Sequence, residues 1–549
     1  MKNIRYLLYA ALILISIVLW NTWQKERPQQ TVSENNQITT SEQQETNNQA
    51  SQQTNKIVSN IPQDRIIHVK TDVLNIEIDT LGGKLIQADL IKYPLELNST
   101  EPVTLLNYQP KTYYISEDGL IQNNIENNNP KQIQYSASQK SYNLNQGQKE
   151  LAVTLNGKTA DGLNVSKSFI FYPEKYNIDV KYNVKNNSGK NWIGNYYLQM
   201  LKKDYTPQKK GFLSIQNYLS VAYSTLQKPY EKIRLSKLSE DSIPSNIQGN
   251  WISIIERYFL GAWIPGQNNI YRYFDKNNGD GLYTVGMVSP KIIVQPNENI
   301  NLNSTFYVGP KIADQLSSLS PHLGLTVDYS SIAFFSLLSS FIFWILKNIN
   351  DVVGNWGWSI VIVTILIKLV FYKLSSTSYR SMAGMKKLQP KMALLKERYG
   401  NDKQAMSKAT MELYKKEKIN PLGGCLPILI QIPVFLALYW VLLESVELRQ
   451  APFIFWIHDL SIKDPYYVLP ILMGITMYLQ QKLSPTPPDP TQAKVMMFLP
   501  VMMTVFFLNF PAGLVLYWLV NNVLSIAQQW YITKKFEEGN QKSKKSHKG

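Results

Sequence analysis

The strongest constraint on the fold is a series of apolar runs that begins at residue 331. They cover residues 331–346, 353–372, 423–443, 466–481, 495–510 and 514–532. A helix needs about 20 apolar residues to cross the hydrocarbon layer of a membrane, and tilt or a thinned bilayer accommodates shorter runs. Within that layer each segment must satisfy its own backbone hydrogen bonds, which favours α-helices. The sequence therefore predicts a multi-domain membrane protein with a helical membrane region.

A further apolar run near the N-terminus follows Lys2 and Arg5. No small-residue cleavage site comes after it, so residues 1–23 are predicted to form an uncleaved signal-anchor helix, with a cleaved signal peptide as the alternative. Residues 24–60 contain mostly Gln, Asn, Thr, Ser and Glu. Such a segment cannot bury enough apolar surface to fold, so we expect a disordered polar linker.

Residues 61–325 show the alternation of apolar and polar residues that is typical of strands. The alternation is clear at 74–78, 163–171, 176–184 and 300–308, and glycine-bearing turns are expected at 82–83 and 156–157. This pattern predicts a large antiparallel β-sandwich domain with one face of each sheet buried. It contains no catalytic constellation, so a structural or binding role is favoured over an enzyme.

The distribution of charge predicts which segments lie in the cytoplasm. The net charge is +16, and residues 373–418 contain twelve Lys and Arg against four Asp and Glu. The positive-inside rule places the hairpin at 374–418 and the basic tail at 534–549 in the cytoplasm, and the loop at 444–464 outside. The runs at 331–346 and 353–372 then cannot both cross. We therefore predict an interfacial amphipathic helix within 326–352, six membrane spans, and both termini in the cytoplasm.

The basic segment at 374–418 is helix-prone and is interrupted at Gly400-Asn401-Asp402, where Asp402 can cap the following helix. This predicts a hairpin of two helices. It either only sets the topology or binds an anionic partner, for which ribosomal RNA and anionic lipid are both candidates. No specific nucleic-acid target is expected.

One cation, Lys368, lies inside the run at 353–372. A charge at the centre of a bilayer costs about 2.5–3.5 kcal/mol on insertion scales. Lys368 either extends its amine to the cytoplasmic interface or lies in a charged, water-filled recess. Thr364 lies one helical turn away on the same face. Other polar residues in the spans include Gln431, Thr476, Asn521, Asn522 and Ser525.

Several functional classes are excluded by what the spans lack. The five distal runs contain no Asp or Glu, which argues against a proton-coupled transporter. No nucleotide-binding loop is present, and one cysteine with four scattered histidines gives no metal site, so we expect no cofactor, metal or catalytic residue. The pattern favours a passive protein that handles an amphipathic substrate. A small-molecule transporter or lipid flippase, and an anchored carbohydrate-binding or enzymatic β module, are the alternatives.

Four segments resemble the YidC family of membrane protein insertases. They read NPLGGCLPILIQIPVF at 420–435, SVELRQAPF at 445–453, WIHDL at 456–460 and FPAGLVLYW at 510–518. The resemblance covers about 353–535, and the upstream layout is similar to the Gram-negative branch. It implies a bacterial inner-membrane protein with residues 24–352 in the periplasm, and a five-helix insertase core at 353–533. It also implies that the β domain is a super-sandwich.

The resemblance further implies a hydrophilic groove that opens to the cytoplasm and the lipid. Similarity places Lys368, Thr364, Gln431 and Trp518 in this groove, and we add Asn521 and Asn522 as polar residues of the last span. The family pattern has arginine at 368 and often tyrosine at 518, so both positions depart from it. Lysine keeps the charge but lacks the planar fork of arginine donors. The implied partners are nascent membrane proteins, the ribosome through the hairpin and tail, the Sec translocon, and the lipid bilayer.

Overall fold

The computed structural model describes residues 61–122, 132–204, 219–238, 242–244, 247–266, 271–330, 332–400, 402–417, 419, 426–485 and 490–546. These residues belong to one compact unit, which contains a β domain followed by a helical domain. The signal-anchor predicted at 1–23 and the linker predicted at 24–60 lie outside the described residues.

The β domain contains nineteen strands among the residues described between 66 and 310. They are β1 Ile66–Lys70, β2 Leu74–Asp79, β3 Lys84–Pro94, β4 Pro102–Leu106, β5 Tyr114–Ile121, β6 Tyr135–Ala137, β7 Ser141–Asn143, β8 Leu151–Lys158, β9 Leu163–Phe171, β10 Asn177–Asn186, β11 Trp192–Lys203, β12 Ser220–Thr225, β13 Glu231–Arg234, β14 Gln248–Ile255, β15 Phe259–Pro265, β16 Tyr271–Asn277, β17 Leu282–Val288, β18 Ile292–Val294 and β19 Asn299–Pro310. The four alternating runs correspond to β2, β9, β10 and β19, so the predicted β domain is confirmed.

Seventeen of these strands form two rows that pack face to face and are joined where β14 pairs with β16. One row has the order β7-β1-β2-β3-β5-β11-β17-β16, and the other β13-β12-β14-β15-β19-β10-β9-β8-β6. Tyr182 of the second row contacts Tyr196 of the first, with ring centroids 5.2 Å apart. Trp263 Nε1 donates a hydrogen bond across the same interface to Gln199 O at 3.1 Å. The core therefore lies between the two rows.

A buried ion pair also crosses this core. Lys167 Nζ lies 2.7 Å from Asp118 Oδ1, and their side chains are 0% and 2% exposed. Lys167 Nζ also donates to Gly83 O at 2.7 Å. Burial lowers the pKa of Lys167, because removing an ammonium from water disfavours its charged form. The close approach also explains why glycine occupies the predicted turn, because a Cβ on Gly83 would lie 3.1 Å from Lys167 Cδ. Gly83 also has a φ of +60°, which favours glycine.

The second predicted turn is wrong. Asn156 and Gly157 lie inside β8, where Gly157 pairs with Val165 of β9. A Cβ on Gly157 would lie 2.6 Å from Ile133 Cγ2, so this glycine permits close packing instead of a turn. The chain reverses at Gly162, whose φ is +89°.

The helical domain follows the β domain. Its helices are α1 Ala313–Leu319, α2 Ala333–Val353, α3 Trp356–Val370, α4 Tyr372–Lys387, α5 Gln389–Tyr399, α6 Lys403–Lys416, α7 Leu426–Glu444, α8 Val468–Leu483, α9 Pro490–Phe507 and α10 Ala512–Ser546. Helix α10 packs against α3, α4 and α8; α2 packs against α3 and α7; and α9 packs against α8. A Cβ on Gly474 of α8 would lie 2.0 Å from Thr504 Oγ1 of α9, so this glycine lets the two helices approach closely.

Length and apolarity single out one straight helix in the described part of the chain. Helix α2 meets both requirements of a membrane span, and α3 with α4 meets them only as a pair bent by 69°. The apolar parts of α7 and α9 are shorter. Helix α2 is also the segment that the charge distribution predicts to lie flat.

The basic segment and the tail differ in detail from the sequence pattern. Helix α4 precedes the hairpin, which is formed by α5 and α6. Asp402 Oδ1 accepts hydrogen bonds from Gln404 N and Ala405 N, both at 2.9 Å, so the predicted cap is confirmed. The tail is not a separate segment at 534, because α10 continues without a break to Ser546.

An arginine links the helical domain to the β domain. Arg449 Nη2 donates hydrogen bonds to Pro94 O at 2.6 Å and to Leu95 O at 3.0 Å. In the opposite direction, Arg257 Nε of the β domain donates to Leu443 O at the end of α7. Guanidinium groups from both domains therefore satisfy carbonyl groups of the other domain.

Two titratable groups are buried at the same junction. Lys311 Nζ lies 3.8 Å from Glu444 Oε2, and burial lowers the pKa of Lys311 to about 8. Burial raises the pKa of Glu447 to about 7. Each group is held in surroundings that disfavour its charged form.

Candidate functional site

A polar stripe runs along one side of α10. Its members recur every three or four residues, which places them on one face of the helix over about 16 Å. They are Trp518, Asn521, Asn522, Ser525, Gln528 and Gln529. Asn521, Asn522, Ser525 and Gln529 are 5% exposed or less. A row of buried polar groups is expensive in an apolar helical domain, so it marks a candidate site.

Lys368 reaches this polar stripe from α3. Its Nζ donates a hydrogen bond to Ser525 Oγ at 2.6 Å, and Ser525 Oγ donates to Asn521 O at 2.7 Å. No carboxylate of the described residues forms an ion pair with Lys368. The half-buried ammonium therefore lies inside the helical domain with a hydroxyl as its partner.

Two other predicted residues contribute polar side chains here: Asn522, which lies on α10, and Gln431, which lies on α7. Asn522 Nδ2 donates to Thr476 Oγ1 of α8 at 3.3 Å. The side chain of Gln431, on α7, lies close enough to the side chain of Tyr517 of α10 to interact with it. Asn522 and Gln431 therefore contact α10 or α8 through polar side chains.

Trp518 lies in an aromatic cluster at the N-terminal end of the polar stripe. Its ring is perpendicular to that of Phe435, with centroids 4.7 Å apart, and lies 5.3 Å from that of Phe507. Thr364 differs from the other predicted residues, because it is 1% exposed and its hydroxyl donates to Ile360 O of its own helix. Trp518, Asn521 and Asn522 lie on α10, and the structure brings Lys368 and Gln431 to this helix. It gives Thr364 no polar contact with any of these residues.

Several polar atoms of the stripe lack a hydrogen-bond partner among the described residues. They are Trp518 Nε1, both polar atoms of the Gln528 amide, and Gln529 Oε1. A buried polar group without a partner costs about 1–3 kcal/mol. Such groups can donate to or accept from a polar substrate chain.

Ser525, Gln528 and Gln529 are the site residues that sequence reasoning did not select. Their spacing from Asn521 was the available signal, because positions four, seven and eight residues later return to the same helix face. Sequence gave no sign of the contact between Lys368 and Ser525, which are 157 residues apart.

A second candidate surface is apolar and lies on α9, which packs against α8. Its exposed members are Val495, Met497, Phe498, Val501, Met502 and Val505, each at least half exposed. Helix α8 adds Ile471 and Ile475, both 51% exposed. Apolar patches of this kind mark sites that contact membranes or apolar partners.

Comparison with known proteins assigns the family. The model of the 60Kd inner membrane protein family matches residues 348–541, and that of the YidC periplasmic domain matches residues 66–345. The membrane protein insertase YidC of Legionella pneumophila (strain Paris) is 47% identical over 546 residues, which is 97% of each chain. The chain belongs to the YidC family. The insertase YidC of Coxiella burnetii (strain Dugway 5J108-111) is 45% identical and that of Nitrosococcus oceani 43% identical, each over 98% of this chain and at least 98% of its own length.

A solved structure described as an active YidC insertase with its first transmembrane domain resolved is also similar. It covers 85% of this chain and 92% of its own, with 16% sequence identity and a TM-score of 0.39.

Family membership confirms the resemblance and the predicted function. YidC proteins are membrane protein insertases and chaperones that are not enzymes, so insertion is favoured over the transporter, flippase and carbohydrate-module alternatives. The family also places the chain in the inner membrane, with the β domain in the periplasm and membrane proteins and the lipid bilayer as partners.

Proposed function

We propose that the polar stripe of α10, together with Lys368, receives the polar flank of a nascent membrane protein. The ammonium of Lys368 attracts acidic residues of the flank, and the unpartnered amide of Gln528 and Oε1 of Gln529 bond to its backbone. The hydrogen bond from Lys368 to Ser525 is the observation that carries this proposal, because it holds a cation against the stripe. The same groove includes Gln431, Trp518, Asn521 and Asn522, while Thr364 supports it from within α3.

The apolar helix of the client would meanwhile move along the exposed face of α9 and Ile432 of α7. Two exposed methionines of α9, Met497 and Met502, give this face side chains that adapt to clients of different shape. Burial of the client helix in lipid supplies about 25 cal/mol per Å² of apolar surface. Insertion then requires no nucleotide hydrolysis by this chain.

The proposed topology has six spans: the segment at 1–23 and helices α3, α7, α8, α9 and α10. Helix α2 then lies in the periplasmic interface. It begins at Ala333, after α1, and Lys347, about 21 Å further along it, forms an ion pair with Asp314 of α1. Since Asp314 lies four residues after the last strand, this ion pair supports a position of both parts of α2 on the periplasmic side. Both termini of the chain are then cytoplasmic.

The hairpin and the end of α10 form the proposed ribosome-binding region. Lys396, Arg398, Lys408, Lys415 and Lys416 are exposed on α5 and α6. Such a cationic surface fits ribosomal RNA, whose phosphates bind Lys and Arg in a salt-dependent way. The Sec translocon stays a predicted partner on the strength of the family.

Site-directed photo-crosslinking tests the groove. A photo-reactive amino acid at Trp518 or Gln528 should crosslink to the polar flank of a stalled nascent chain on a ribosome. Val523 is a matched control, because it lies on the same helix at a similar depth and is 49% exposed away from the polar stripe. Equal client crosslinking from all three positions, or from Val523 alone, would reject the groove.

A further inference from the structure

The loop that joins α7 to α8, residues 445–467, is folded against the ends of four helices. It begins where α7 ends and stops where α8 begins. Asn355, which caps α3, donates from Nδ2 to Phe453 O at 3.1 Å. Gly513 N, in the first turn of α10, donates to Leu460 O at 2.9 Å. The 445–467 loop therefore lies level with these four helix ends.

Large apolar side chains project from this loop. Phe455 is 80% exposed, Tyr466 is 68% exposed and Ile462 is 50% exposed. The ring of Phe455 stacks on that of Trp456, with centroids 6.0 Å apart and an angle of 20°. Exposed aromatic and aliphatic groups are thus concentrated at the level of the helix ends.

The backbone holds Phe455 outward in an unfavourable conformation. Its φ is +54°, a value that bulky side chains rarely adopt and that persists only where the surroundings impose it. Here Phe453 N donates to Ile457 O at 2.9 Å, and Trp456 Nε1 donates to Asp464 Oδ1 at 3.0 Å. Asp464 is 1% exposed, so the anchor of the turn is rigid.

The exposed surface of the loop continues into the apolar face of α8. Tyr467, Ile471 and Ile475 follow at intervals of four residues, and all three are exposed. On its other side the loop contacts the periplasmic β domain through Arg449 and Pro94. The aromatic side chains therefore lie where an apolar helix surface meets the periplasmic side.

We propose that the 445–467 loop is a wedge that inserts Phe455, Ile462 and Tyr466 into the outer leaflet of the phospholipid bilayer. Aromatic residues are enriched at this depth because their apolar bodies enter the acyl region while polar tips stay near the headgroups. The wedge fixes the depth of the helical domain through a rigid turn. The inference rests on the span assignments under Proposed function.

Fluorescence quenching in proteoliposomes tests the wedge. The single cysteine, Cys425, is replaced by serine, and one new cysteine is introduced in the full-length chain as Phe455→Cys, Phe498→Cys or Leu226→Cys. Phe498 is 63% exposed on α9 and Leu226 is 66% exposed on the β domain, so the sites are matched in exposure. Each is labelled with nitrobenzoxadiazole and tested with a phosphatidylcholine that carries a doxyl group near its headgroup, and with aqueous iodide.

The label at 455 should lose fluorescence to the doxyl lipid and be shielded from iodide, as should the label at 498, whereas that at 226 should respond only to iodide. If 455 behaves like 226 while 498 is quenched by lipid, the wedge is wrong and the spans stand. If the labels at 455 and 498 both respond only to iodide, the wedge and the span assignment are both rejected. Should Phe455→Cys lose its native circular dichroism, Tyr466→Cys takes its place with the same outcomes.

Discussion

Replacing Lys368 by glutamine should impair insertion in a way that depends on the charge of the client. Glutamine is similar in length and still donates a hydrogen bond, so Lys368→Gln removes the charge while allowing contact with Ser525. If the ammonium attracts acidic flanks, this substitution must slow the insertion of clients with an acidic flank more than that of clients with a neutral flank.

The size of the effect follows from the position of the ammonium. A client carboxylate about 4 Å from Lys368 Nζ would gain about 4 kcal/mol at an effective dielectric constant of 20. Desolvation of both groups and loss of the 2.6 Å hydrogen bond to Ser525, worth about 1 kcal/mol, offset much of this gain. We expect a net effect of about 1–2 kcal/mol, or about tenfold in the insertion rate of an acidic client.

The assay compares two clients that differ only in flank charge, in proteoliposomes that contain the full-length protein. Lys368→Arg keeps the charge and should retain most of the activity, and Ser525→Ala, which removes only the acceptor, should act similarly on both clients. Equal losses for acidic and neutral clients with Lys368→Gln would refute the attraction and indicate a structural role for Lys368.

Three further predictions concern the junction, the β core and the hairpin. The pKa of Glu447 is raised from 4.5 to about 7, so its stabilising contribution is complete below pH 4.5 and is lost as the pH rises through 7. Glu447→Gln should therefore reduce the fall in the thermal unfolding midpoint of the protein between pH 4.5 and pH 7. Lys167→Met should destabilise the β domain by about 3–5 kcal/mol, because Asp118 is left buried without its partner. In denaturant unfolding, the double variant Lys167→Met with Asp118→Leu should lose less unfolding free energy than Lys167→Met alone. Neutralising Arg398 and Lys408 should lower the salt dependence of ribosome binding by about one logarithmic slope unit per lost contact.

Each of these predictions has a contrary result. An unchanged pH profile in Glu447→Gln would show that this carboxyl is not the group that titrates. A double variant at 167 and 118 that is less stable than Lys167→Met alone would show that the unpaired Asp118 carboxylate is not the source of the cost. Neutralising Lys181 and Lys185, which are exposed on β10, is the charge-matched control for the hairpin and should leave ribosome binding unchanged.

Local patterns allowed much of the fold to be predicted. Alternation at β10 follows directly from one buried and one exposed face, and Asp402 caps α6 because its short carboxylate reaches the free N–H groups of the first turn. The turn expected at Gly157 failed for a physical reason. Glycine permits both tight turns and close packing, and only the position of Ile133 shows which applies.

The site was predicted less completely, because its geometry depends on distant contacts. The cost of a charge inside an apolar run drew attention to Lys368. Its partner Ser525, however, is set by how α3 packs against α10, which no local pattern encodes. Thr364 shares a helix face with Lys368, but its hydroxyl bonds to its own backbone, so its place in the site stays a prediction.

Helix α10 has a mechanical consequence beyond its polar stripe. It runs without a break from Ala512 to Ser546, about 52 Å, whereas a hydrocarbon layer is about 30 Å thick. The stripe and the basic end of the chain are thus parts of one rod, with no proline between them to act as a hinge. If a ribosome binds the free end as proposed, a force on that end would change the angle of the helix at Ser525.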